Sequence, residues 1–60
     1  MKYASEKTLS ALFDISRATT YRKVKAMQQH PKFEKDVIRD GRFVRVRVKA
    51  FERYLKHVDG

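Results

Sequence analysis

Between Val37 and Val48 the apolar residues change period. They stop recurring every third or fourth position and alternate with polar ones, around a central Asp40-Gly41. A period of two sends one set of side chains to each face of a strand, and Asp-Gly between β-branched runs is a strong signal for a two-residue turn, so the stretch predicts an antiparallel hairpin. With Asp40 and Gly41 as the loop, Arg39 would pair with Arg42, Ile38 with Phe43 and Val37 with Val44. Val37, Val44 and Val46 then share one face. Phe43, Arg45 and Arg47 share the other, and Arg39 and Arg42 sit at the tip. An isolated hairpin is marginal in water, so its valine face must dock on something else.

The rest of the chain offers helices for that role. Residues 1–4 read as an extended lead-in. Ser5 is an N-cap candidate, its hydroxyl able to accept from a first-turn N–H. Leu9, Leu12 and Phe13 follow at helical spacing as a predicted inner face. The helix should stop at Asp14, since Asp14-Ile15-Ser16 reads as a tight turn in which Asp tolerates a left-handed backbone and Ser16 is a second N-cap. A second helix is expected from Arg17 to about Gln29. Thr20, Val24 and Met27 lie on its inner face, Tyr21 flanks it, and Thr19, Arg22 and Ala26 point away. Pro31 closes that region. Lys32 to Asp36 is a polar connector anchored by Phe33, and Val48 to Lys56 predicts a third helix with Phe51, Tyr54 and Leu55 inward. The expectation is one domain, residues 1–60, of the α+β class.

Charge narrows the function. The 60 residues hold 15 Lys or Arg against 7 Asp or Glu, a net charge of +8. Residues 15–33 and 41–51 contain nine basic residues and no acid, while the remainder holds six basic and seven acidic. The whole excess therefore comes from two segments, and the natural partner of a shaped basic surface is a long polyanion such as double-stranded DNA. A domain this small buries only about 60% of its unfolded surface and has no second layer to wall a deep substrate pocket. It has no cysteine for a disulfide or zinc site, and no apolar run long enough for a membrane span or signal peptide. His30 and His57 lack metal-ligand spacing, and no nucleophile is arranged for catalysis. The expectations are a cytoplasmic, DNA-associated protein with no enzymatic activity, cofactor, metal, membrane contact or small-molecule substrate.

Helix, three-residue turn, helix and hairpin follow one another in the order of a small winged helix-turn-helix with a two-stranded wing and a C-terminal helix. In such a module the second helix packs one face on the first and offers the other to the major groove. Ser16, Arg17 and Thr19 would stand where its N-terminal N–H groups meet phosphate, with Arg22 one turn further on. The hairpin arginines would reach the backbone or a narrow minor groove.

The run Ile15-Ser16-Arg17-Ala18-Thr19-Thr20-Tyr21-Arg22 resembles the V-S-R-x-T-x-Y-R signature of the excisionase and MerR-like winged-helix superfamily. The segment Asp40-Gly41-Arg42-Phe43-Val44-Arg45-Val46, with Ala50-Phe51-Glu52-Arg53-Tyr54-Leu55, is similar to that family's wing and closing helix. The likeness spans roughly residues 4–56. It departs at Asp14, where the family usually has Gly, and in the longer connector from His30 to Asp36. The resemblance implies contacts to DNA from Ser16, Arg17, Thr19, Tyr21, Arg22 and Lys23, with Arg42 and Arg45 from the wing. Short members without an effector domain resemble phage and mobile-element excisionases and AlpA-like regulators. The expected function is therefore an excisionase of bacterial or phage origin that binds and bends attachment-site DNA to assist excision. An integrase or recombinase, or neighbouring copies on the DNA, would be further partners. The alternatives are a small transcriptional regulator of the same fold and, from another class, an RNA-binding or protein-interaction module.

Several side chains have competing roles. Tyr21 is open between a boundary aromatic and a phosphate-contacting hydroxyl. Thr20 reads as a packing residue, Lys25 as solvated and Arg53 as structural or solvent-facing. Arg45 has a structural alternative in pairing with Asp36. Ile38 and Phe43 are exposed unless another element covers them.

Overall fold

The computed structural model describes the backbone of residues 2–59 and the side chains of residues 2–57. Strand β1 is Tyr3–Ala4, and helix α1, Glu6–Phe13, follows from its cap: Ser5 is extended and its hydroxyl accepts from the Thr8 N–H at 3.2 Å. Glu6 in the first turn adds a favourable charge at the positive end of the helix dipole. The helix ends at Asp14, which is left-handed at φ 54° and ψ 48° and donates its N–H to the Ser10 carbonyl. Helix α2, Arg17–Gln29, begins with a second serine cap, Ser16 accepting from the Thr19 N–H at 3.1 Å. Both helix starts, the three-residue turn and the end of α2 fall where the sequence places them.

After Pro31 the connector contains a 3-10 turn, Glu34–Asp36, and then strands β2, Val37–Asp40, and β3, Phe43–Arg47. Helix α3, Val48–Asp59, runs on past the predicted end at Lys56. The sheet is antiparallel with order β1-β3-β2, so it has three strands and not the expected two. Tyr3 pairs with Arg47 and Ala4 with Val46, giving the lead-in a structural role that four residues without a visible period could not announce.

The hairpin register also differs from expectation. Asp40 pairs with Phe43, Arg39 with Val44, Ile38 with Arg45 and Val37 with Val46, leaving Gly41 and Arg42 as the loop. Gly41 is left-handed at φ 62°, while Asp14 is the only other described residue with positive φ. A loop at Asp40-Gly41 would be a type I′ turn and force both residues into that region. Moving the loop by one residue leaves the unusual angle to glycine alone, in the pattern of a type II′ turn. The partner shifts by two positions, an even number, so the division between faces survives. Val44 and Val46 are buried against the helices, whereas Phe43 on the other face is exposed.

The core consists of Ala4, Leu9, Val24, Met27, Phe33, Val44, Val46, Ala50, Phe51 and Tyr54, with Phe13, Ile15, Val37, Val48 and Leu55 packed against it. Phe13 meets Phe51 edge to face at 5.2 Å, joining α1 to α3. Leu12 is a correction. It is 55% exposed, because it falls about 60° to one side of Leu9 while Phe13 lies to the other, and the core covers only the Phe13 side.

Candidate nucleic-acid interface

Helix α2 is held by one face. Thr20, Val24 and Met27 are each 0% exposed, and the Thr20 hydroxyl donates to the Ser16 carbonyl at 2.9 Å, so Thr20 packs as expected. The opposite face follows from the helical period and comprises Ala18, Tyr21, Arg22, Lys25, Ala26 and Gln29, all exposed. No acid lies on α2. Ala26 points outward beside Arg22 as expected and Lys25 is exposed as expected, while Ala18 and Gln29 share this surface and were not singled out in the sequence. The signal for them is the same period of 3.6 applied to the outer side. The Lys25 ammonium sits 5.4 Å from the centre of the Tyr21 ring, one turn back, and Tyr21 is 46% exposed. Tyr21 is thus a surface aromatic supporting a cation, not a core residue.

At the start of α2, Arg17 is exposed. Ser16 and Thr19 are occupied with each other: Ser16 Oγ accepts from the Thr19 N–H and donates to Thr19 Oγ1 at 2.8 Å. Thr19 is half-buried at the flank and does not point away as expected, since its hydroxyl closes the cap. Lys23 is likewise half-buried at a flank.

The hairpin arginines divide among three places. Arg42 is exposed in the loop. Arg39 pairs with Val44, on the face of the sheet that carries the core valines, but near the tip where it stays exposed. Arg45 lies on the opposite face, half-buried, with its guanidinium 4.4 Å from the centre of the Phe43 ring and Nη1 donating to the Val44 carbonyl at 2.8 Å. The structural alternative, a pairing with Asp36, is not made. Arg47 takes that carboxylate at 3.8 Å, because Asp36 precedes the base of β2 and Arg47 ends β3 beside it. Ile38 and Phe43 are exposed at 45% and 50%, with neither β1 nor α3 over them.

The electrostatic picture is therefore Arg17 at the start of α2, an outer helix face with Arg22 and Lys25, and a ribbon carrying Arg39, Arg42 and Arg45. Among the described residues no helix is long and apolar enough to cross a membrane. No protein-family model matches the chain, and no curated protein or solved structure is detectably similar to it.

Proposed function

We propose that the protein is a sequence-specific double-stranded DNA-binding module of the winged helix-turn-helix type, with α2 in the major groove and the β2–β3 hairpin as its wing. The observation that carries the reading is the outer face of α2: six exposed positions, no acid, and a helix clamped from behind by Thr20, Val24 and Met27. A major groove about 12 Å wide accepts a helix of this kind, and Arg22 one turn from its start is suited to bidentate contact with guanine. A ribbon entering a groove edge-on offers its two faces to the two walls, so Arg39 and Arg45 on opposite faces are compatible with one wing site. Positive groups at a helix start and a ribbon tip are also what phosphate contact requires.

The longest dimension of the molecule is 31 Å, close to the ~34 Å of one turn of DNA. One copy then reads a short site, and specificity in a genome calls for several adjacent copies or a second protein. Together with the motif starting at Ile15, this favours an excisionase-like architectural role over a solitary repressor.

Selection from a pool of random duplexes tests the reading. Enrichment of a short motif is expected, with DNase protection of repeats beside an attachment site. Protection of a promoter alone would replace excision with transcriptional control. Displacement of duplex by single-stranded RNA would reject the DNA reading altogether.

A further inference from the structure

A second basic surface lies at the base of the hairpin. Lys32, Phe33, Asp36, Ala50, Arg53 and His57 line a groove of about 240 Å³ between the 3-10 turn and α3. A smaller cleft of about 50 Å³ shares Asp36, Ala50 and Arg53 with it and adds Arg47 and Lys49. Lys49, Arg53 and His57 succeed one another at i, i+4 and i+8, so they form a single exposed stripe along α3. Among the described residues the only carboxylate lining either hollow is Asp36, and Arg47 already engages it at 3.8 Å. Lys32, Lys49 and Arg53 make no ion pair with another described residue. The surface thus carries four cations and one partly neutralised acid.

Lys32, Arg47 and Lys49 belong to the acid-free segments of the sequence, yet they lie apart from the wing tip. Arg47 is four residues along β3 from Phe43, about 13 Å at strand rise. Lys32 lies beyond the end of α2. The floor of the groove differs from a phosphate track as well. Its lining is more apolar than polar, with the nearly buried Phe33 and Ala50 among the residues that form it. Phe33 is fixed there by edge-on packing at 5.3 Å to Tyr54 and 5.0 Å to His30. Its volume is below the ~300–1,000 Å³ of small-molecule sites and suits a single side chain.

We propose that this groove docks an acidic segment of a partner protein, one apolar side chain resting on Phe33 and Ala50 while flanking carboxylates meet Arg53, Lys49 and Lys32. In a DNA duplex the base faces are stacked inside and the thymine methyls lie within the major groove, so the phosphates at its edge bring no apolar group free to rest on that floor. The proposal stands independently of the DNA reading, since it uses none of the residues on the outer face of α2 or at the hairpin tip.

The test is an NMR titration of the isotope-labelled full chain with a short peptide of glutamates around a central leucine. Shifts are expected at the amides of Phe33, Asp36, Ala50 and Arg53. The same peptide with serine for leucine should bind at least about tenfold more weakly, the scale of burying much of a leucine side chain. Arg53→Glu should abolish the shifts, and Lys49→Ala should reduce them, both with an unchanged melting temperature. Equal binding of the serine peptide overturns the proposal, as do shifts confined to α2 or the absence of any shift. A duplex that moves the groove amides as strongly as the peptide does would assign the groove to DNA instead.

Discussion

The Arg45 guanidinium lies over the Phe43 ring, 4.4 Å from its centre, on the solvent face of the hairpin. Stacking of this kind contributes about 0.5–1 kcal/mol at an exposed site and, more to the point, holds a long side chain beside the loop that carries Arg42. Two cations are thereby kept near the tip of the ribbon, while Arg47, on the same face, is turned to Asp36.

Arg42→Ala combined with Arg45→Ala should therefore weaken binding to every duplex alike. The slope of log K against log salt should fall by about 1.8, two phosphate contacts at about 0.9 each. Fluorescence anisotropy at several salt concentrations measures it, and an unaltered slope would remove the hairpin from the interface.

Arg22→Ala is expected to cost about 1–3 kcal/mol on the selected site and to relax specificity at one base pair. Arg22 is exposed and outside the core, so the melting temperature should stay the same. Competition between the selected site and single-base variants separates loss of reading from loss of charge.

Asp14 holds a left-handed backbone, at φ 54°, that a non-glycine residue adopts at a cost of roughly 1–2 kcal/mol. Asp14→Gly should raise stability by about 0.5–1 kcal/mol after the extra entropy of glycine in the unfolded chain is subtracted. Urea denaturation reads the change, and Asp14→Ala should move it the other way.

Phe51 is fully buried and touches Phe13 edge to face. Phe51→Ala should cost about 3–5 kcal/mol, against a total of about 3–9 expected for a domain of this length, and leave much of the chain unfolded at room temperature. Phe51→Leu keeps most of the volume and should fold with a lowered melting temperature by circular dichroism.

What was legible in the sequence was local. Ser5, Asp14 and Ser16 mark helix ends because each acts through its own backbone angles or through a hydrogen bond to a residue three or four away. The inner face of α2 and the valine face of the hairpin were legible for the same reason, since a period needs no knowledge of the partner. Leu12 shows the limit. Its spacing is as helical as that of Leu9, and only the position of the neighbouring elements leaves it exposed.

The exchange between Arg45 and Arg47 shows the limit more sharply. Both alternate out of the valine face, and nothing local distinguishes them. The sequence by itself determined the order of the three helices and the hairpin, the serine caps, the two acid-free segments and the inner faces of α2 and the hairpin. The hairpin register turned on which loop residue takes the left-handed angle. Only the tertiary structure decided the third strand and the division of the basic residues between the α2 face, the ribbon and the groove beside α3. Those depend on contacts between residues distant in the chain: Tyr3 with Arg47, Asp36 with Arg47, and Phe33 with Tyr54. Periodicity assigns a residue to a face of its own element. Which other element, charge or empty hollow meets that face is settled by packing in three dimensions.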